Sequence, residues 1–405
     1  MIRACVCALA LLGSAYARGQ TLWKVDSASS EQKVGSLAGL GPGFAVALKE
    51  PAANIPSGEL ISLRQVLAPR PGRPDAPMLM LANGDCWPGK LLGGKGLALE
   101  WNWHPDAGTA IKLSANLPSV RAIWLTPPPN PDADPASYDW VDAEKKQDTL
   151  RLRNGDVLRG TLETISPDGA ILRFRVEGEK AAKPLETDNV VAIVFDPSLI
   201  RMKPPKTTHA KIAIRNGSRL TVTEATSDGK TLAGVLSTGG NIAVAIENVV
   251  SLDILQGKAT YLSDLAPKTS RVEPFNDLIW NWKPNRNVRG EPLRLNMAQG
   301  VEAFDRGLGT HSKTILEYDL AGKYRIFEAT VGLDARTGKK GEAEVSILLD
   351  GKKVPLPALV NLKAGPAVPV RIELTKAKTL TLVIDFGPGG DVQDDVNWGD
   401  ARLVE

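Results

Sequence analysis

Between residues 327 and 386 the chain alternates apolar and polar side chains with a period of two, run after run. Phe327, Ala329, Val331 and Leu333 form one series, and Val345, Ile347 and Leu349 the next. Val368, Val370, Ile372 and Leu374 follow, then Leu380, Leu382, Ile384 and Phe386. Successive side chains of a strand point to opposite faces, so this pattern buries one face of a sheet and wets the other. Leu293 to Leu295, Ile315 to Leu320 and Val396 to Leu403 add further strand-like runs. The total is roughly eight strands, the count of a two-sheet jelly roll. No helical period interrupts them, so this part of the chain is expected to be all-β.

A second regularity lies upstream. Three segments begin with a short apolar strand and an Asn-Gly pair: Met78 to Asn83-Gly84, Leu150 to Asn154-Gly155, and Ile212 to Asn216-Gly217. Each closes on a similar apolar phrase that opens at Val120, Val190 or Val249. Asn-Gly suits a two-residue hairpin turn, and fixed recurrence marks an internal repeat. Each copy reads as a small meander or barrel of four or five strands with little core of its own, so stacking of copies is expected. The expected division is a β-rich segment at 18–74, repeats at 75–126, 148–200 and 210–258, and a sandwich at 261–405. Linkers fall at 127–147, rich in proline, and at 201–209. Residues 34–75 contain alternating pieces such as Phe44 to Leu48, which leaves open whether they form another copy.

Met1 to Arg3 is basic, Ala4 to Leu12 apolar, and Ala15-Tyr16-Ala17 has the small-x-small form of a cleavage site. Residues 1–17 therefore read as a secretory signal peptide, and the protein as secreted or periplasmic without a transmembrane anchor. Of three cysteines, Cys5 and Cys7 leave with that segment, so Cys86 can form no intramolecular disulfide. A net charge of +3 without basic blocks argues against a nucleic-acid partner. With only three histidines, far apart, a zinc site of the usual ligand set is not expected.

The C-terminal segment carries a recognisable series of elements: Tyr261-Leu-Ser-Asp-Leu265, Pro292-Leu-Arg-Leu295, Gly307-Leu-Gly-Thr-His311, Tyr318-Asp-Leu320, Phe327 through Asp334, Asp350-Gly351, Asp395-Val-Asn-Trp398 and Asp400-Ala-Arg-Leu403. In this order they resemble the NPCBM domain, a carbohydrate-binding module of the type found beside glycoside hydrolases of family 98. The resemblance covers about a third of the chain. It implies a galactose-binding-like β-sandwich, recognition of a glycan or polysaccharide, and a bound structural calcium. The repeats lie outside it. One departure follows the loop Pro388 to Asp395: the resemblance implies an aspartate before the tryptophan, but Asn397 stands directly before Trp398, which leaves the metal ligands open.

Sugars present flat apolar faces fringed by hydroxyls, so their sites combine aromatic plates with fixed donors and acceptors. The candidate contacts are Trp280, Trp282, Asn285, Arg286, His311, Asp334, Asn397 and Trp398. Each has a plainer reading. Trp280, Trp282 and Trp398 lie in strand-like runs, and at least two of them read as core. His311 follows a pair of glycines and suits a buried, hydrogen-bonded position. Asp391, Asp394 and Asp395 either hold calcium with backbone carbonyls or form a solvated turn.

No nucleophile–base pair or phosphate loop is evident, and no acidic pair is marked by a catalytic motif. The expected function is therefore an exported, non-catalytic carbohydrate-binding protein with the repeats as scaffold or interaction array. An envelope interaction protein whose sandwich does not bind sugar is the alternative. A glycoside hydrolase comes behind both.

Overall fold

The computed structural model describes residues 21–29, 32–128, 147–276, 278–336 and 340–405. The expected signal peptide and most of the 127–147 linker lie outside them. The described residues form strands and three-residue 3-10 turns, with no α-helix, so the fold is all-β. Among them no helix is long and apolar enough to cross a membrane. The chain divides into two compact units, the second formed by Leu255–Glu405 with Ala28–Ser30 and Leu67–Arg70.

The first unit repeats one pairing scheme four times. In each group of five strands the first pairs with both the second and the fifth, and the third and fourth extend the meander. Asp148–Leu152, Val157–Ile165, Ile171–Val176, Lys183–Glu186 and Val190–Val194 form one such group. The group opening at Leu22–Ser27 and ending at Leu60–Gln65 has the same pairing although it lacks Asn-Gly. Fifth strands then join groups in pairs, with Leu252 opposite Leu63 and Ile123 opposite Ile193. A single apolar core runs through all four groups, from Trp23 and Leu63 through Trp87, Trp101 and Ile123 to Phe174, Ile212 and Leu252. Shared burial is how such small meanders obtain a core.

The Asn-Gly turns differ from the two-residue form expected of them. Gly84, Gly155 and Gly217 have φ of 83°, 92° and 91°, while the preceding asparagines are not in the left-handed region. The Gly84 N–H donates to Leu81 O (3.0 Å) and the Leu81 N–H to Asp85 O (2.9 Å), which closes a three-residue loop with a glycine bulge. Each asparagine instead accepts a bond from the backbone N–H two residues on, at 2.9 to 3.0 Å. The short side chain thus fastens the turn, and only glycine needs the positive φ.

The second unit is a sandwich of two antiparallel sheets. One has the main order Lys283–Pro284, Gly307–Thr310, Val396–Val404, Ile326–Leu333, Val368–Glu373. The other runs Thr269–Val272, Thr314–Asp319, Thr379–Phe386, Glu342–Leu349, Lys352–Lys353. Their inner faces supply the alternating residues seen in the sequence: Phe327, Val331, Trp398 and Leu403 from one, Leu316, Val345, Ile347 and Leu382 from the other. The strand Val396–Val404 departs from alternation, being buried along its whole length. Its outer face lies under a third layer, the hairpin Leu293–Met297/Gly300–Phe304, which has its own small core of Leu293, Leu295 and Phe304. Gly399 is required there, because a Cβ would meet the Phe304 ring at 2.5 Å. The covered face consequently carries buried polar side chains, and these build the candidate site.

Candidate functional site

Asn397 projects from the covered face of the central strand. Its Nδ2 donates to Asp334 Oδ2 (2.7 Å) and to Arg294 O (3.1 Å). Both partners can only accept, so the amide orientation is determined and Oδ1 faces away from them. That Oδ1 is buried and has no hydrogen-bond partner. Asp334 ends the strand Ile326–Leu333 and also accepts from Asn287 Nδ2 (3.1 Å) and the Arg336 N–H (3.0 Å). Burial holds its carboxyl above the ordinary carboxylate range, although these N–H donors pull the other way.

Asn287 is fixed by its own loop. Its Oδ1 accepts from the N–H groups of Arg289 (3.1 Å) and Glu291 (2.8 Å), and Gly290 takes φ 90° to close the turn. The loop presents Arg289, whose Nε donates to Asp395 Oδ2 (2.7 Å) and whose guanidinium lies 4.8 Å from the centre of the Trp280 ring. Trp280 is half-buried and stacks on His311, with ring centroids 5.7 Å apart and planes 28° apart. His311 Nδ1 lies 2.8 Å from Ser312 O, and since a carbonyl only accepts, Nδ1 carries a proton. Nε2 faces Asp395 Oδ1 at 3.6 Å, beyond hydrogen-bond reach. Asp395 Oδ1 is a second buried acceptor without a hydrogen-bond partner.

Trp280, His311, Asp334 and Asn397 are thus brought together, as is Asp395, which the sequence offers either as a calcium ligand or as part of a solvated turn. Asn287, which the sequence groups with Trp280 and Trp282 in one polar and aromatic stretch, belongs to the same cluster, and so do Arg289, Glu291 and Arg336, which were missed as contacts. A turn signal, Asn287-Val-Arg-Gly290, is all that marks that loop in the sequence. Four other candidates stand elsewhere or play structural parts. Trp398 is fully buried in the sandwich core with its Nε1 donating to Thr310 Oγ1 (3.3 Å), so no sugar can lie on it. Trp282 packs against the core and donates to Ser270 Oγ (2.8 Å). Asn285, at φ 57°, accepts from the Gly307 N–H (3.2 Å) and so joins a turn to the strand. Arg286 is half-buried and follows it in that turn.

The three aspartates considered for calcium do not share a focus. Asp394 accepts from Ser312 Oγ (2.9 Å) and the Glu342 N–H (2.9 Å), while Asp395 turns to Arg289 and His311. Asp391 contributes its backbone carbonyl to the same loop. Among the described residues no three His, Cys, Asp or Glu side chains could hold a metal together. Arg289 is bonded to one of the three carboxylates and Asp394 to Ser312 and Glu342, so these side chains by themselves do not form a calcium cage. A serine–histidine–aspartate arrangement is likewise missing, because Ser312 Oγ is bonded to Asp394 rather than to His311 Nε2.

Residues 258–404 match the family model described as the NPCBM/NEW2 domain. A Renibacterium salmoninarum protein bearing the provisional name endo-alpha-N-acetylgalactosaminidase is 27% identical over 116 residues, which is 28% of this chain and 7% of that protein. The chain thus spans a small fraction of the length of this curated relative. Among solved structures, CBM51 from Clostridium perfringens GH95 in complex with methyl-galactose is 24% identical, covering 36% of this chain and 99% of that one, with a TM-score of 0.33. The tandem CBM51 modules of Sp3GH98, the family 98 glycoside hydrolase from Streptococcus pneumoniae, are 15% identical, covering 82% and 92%, also at 0.33. Over residues 258–404, the sandwich and its covering hairpin, the chain matches the NPCBM/NEW2 domain family.

Proposed function

We propose that this chain is an exported, non-catalytic carbohydrate-binding protein whose C-terminal sandwich takes a sugar beside Trp280, Arg289 and His311. One observation carries the reading. A half-buried tryptophan bearing a guanidinium and an imidazole stands over Asp395, whose buried Oδ1 has no hydrogen-bond partner. Buried polar atoms are ordinarily paired, so an unpaired carboxylate oxygen beside an aromatic ring suits a ligand that brings a hydroxyl donor. Trp280 is not a bare plate. A sugar would slide its apolar face onto the ring in place of the Arg289 guanidinium, whose side chain is about half exposed (47%) and would give up its bond to Asp395 Oδ2 to let the sugar in. The family matched at 258–404 supports the same reading.

The non-catalytic part rests on chemistry. Glycoside hydrolysis needs two carboxylates across an open cleft, one of them free to protonate a leaving group. Asp334 and Asp395 are instead buried and tied to amide and guanidinium donors. The four groups of the first unit serve as scaffold in this proposal.

The test is a glycan array probed with the intact chain and with Trp280→Ala. Wild type should retain at least one glycan class, and the variant should lose it by ~10-fold or more while its melting temperature moves little, since the ring is only half-buried. No retention by wild type on any glycan, or full retention by Trp280→Ala, refutes the proposal. The first of these outcomes would leave a sandwich that serves protein or envelope contacts.

A further inference from the structure

The hairpin that covers the central strand is held by a residue from far upstream. The second unit includes Leu67–Arg70, and the Arg70 side chain is only 3% exposed. Its Nε donates to Glu302 Oε1 (3.1 Å) and a terminal nitrogen to Asp400 Oδ2 (2.6 Å). The guanidinium lies 4.7 Å from the centre of the Phe304 ring, and the Arg70 carbonyl accepts from the Ala303 N–H (3.0 Å). Glu302, Ala303 and Phe304 belong to the hairpin strand Gly300–Phe304, whereas Asp400 belongs to the central strand Val396–Val404. One guanidinium thus joins two layers, and its planar fork suits two carboxylates at once.

The hairpin reaches the site through its other strand. Ala303 stands opposite Arg294, whose carbonyl accepts from Asn397 Nδ2 (3.1 Å) and from the Ala335 N–H (3.0 Å). Leu295 bridges to Asp334, and Asp334 holds Asn287, whose loop presents Arg289 to Trp280. We infer that Arg70 is a positioning residue of the sugar site: by pinning the hairpin to the central strand it fixes the carbonyl that orients Asn397 and the carboxylate that orients Asn287. The inference rests on the sugar-binding reading and extends it to a residue outside 258–404. Those residues alone would leave Glu302 and Asp400, whose side chains are 15% and 9% exposed, without this cation.

The experiment compares the intact chain with its triple variant Arg70→Met/Glu302→Gln/Asp400→Asn. Removing the three charges together strands no buried carboxylate, and asparagine accepts the φ of 49° found at Asp400. The melting temperature should therefore move little. The half-saturating concentration on the glycan array should rise ~10-fold or more. Hydrogen exchange at the Ala335 amide should quicken ~10-fold relative to amides of Thr379–Phe386 in the opposite sheet, a local loosening that a general loss of stability would not produce. Unchanged glycan affinity in the triple variant overturns the inference while the sugar reading stands. Loss of folding, or exchange quickened equally in both sheets, makes the cluster a support of the whole unit and overturns it as well. If wild type retains no glycan, the sugar reading falls and this inference with it.

Discussion

Gly309→Ala tests how the sandwich holds its site. Gly309 lies in the strand Gly307–Thr310, opposite Asn397. A methyl group there would sit 2.2 Å from Arg286 O and 2.4 Å from Asn287 Cα. Both obstacles are backbone, so no side chain can rotate away, and the Arg286–Asn287 turn must move. Overpacking of this kind costs ~1–3 kcal/mol. Moving the turn also loosens the Asn287 amide from Asp334, now 3.1 Å away. A hydrogen bond to a charged group is worth ~1.5–3 kcal/mol. Against this, alanine restricts the unfolded chain and returns ~0.4–1 kcal/mol. The net loss is ~2–5 kcal/mol, and for a unit of this size each kcal/mol lowers the melting temperature by ~2–4 °C. Calorimetry should therefore show a fall of roughly 5–15 °C in the transition of the C-terminal unit, together with weakened glycan retention. Gly389→Ala is the control, since no atom lies within 4 Å of its added Cβ and its φ is not positive. If Gly309→Ala melts within ~1 °C of that control, close packing of the turn on the strand is not what holds Asn287 in place.

Two further outcomes follow from the buried aspartates. Burial raises the Asp394 carboxyl above its usual value, so the folded protein holds that proton more tightly than the unfolded chain. The associated stability is present below the unfolded pKa and disappears as pH rises through the folded one. The stability of wild type relative to Asp394→Asn, from urea unfolding, should therefore fall between about pH 4 and the raised pKa and then level off; a difference that grows with pH contradicts this. Chelation by EDTA should leave the melting temperature of the intact chain unchanged, because Asp391, Asp394 and Asp395 share no focus and Arg289 already neutralises one of them. A drop of several degrees would return calcium to this loop.

Much of the architecture could be read before any coordinates. Period-two alternation is imposed by backbone geometry, so Val345, Ile347 and Leu382 declare their inward face by spacing alone. The recurrence of Asn-Gly likewise marked equivalent hairpins, though not their type, because turn type depends on φ values that the residue pair only permits. The group beginning at Leu22–Ser27 was legible only as scattered alternation, since its pairing survives without the turn signal. The tryptophans illustrate the remaining difficulty. Trp280, Trp282 and Trp398 are chemically identical, and their different fates depend on what lies over each one.

The Gly307-Leu-Gly-Thr-His311 segment shows where local sequence stops deciding. Its two glycines suggest a tight turn, yet the segment is the strand Gly307–Thr310, where the glycines are needed because a Cβ would meet backbone at 2.1 Å (Trp398 O) or 2.2 Å (Arg286 O). By itself the sequence therefore determined the β class, the alternation of faces and the turns. Only the tertiary structure decided that a hairpin covers the outer face of Val396–Val404, which makes Asn397 a buried polar group, and that the loop of Asn287 and Arg289 meets Asp334 and Asp395 beside Trp280. The reason is range. Strand faces follow from neighbours two residues apart, whereas the site is closed by hydrogen bonds between residues as far apart as Arg289 and Asp395, whose meeting no local pattern encodes.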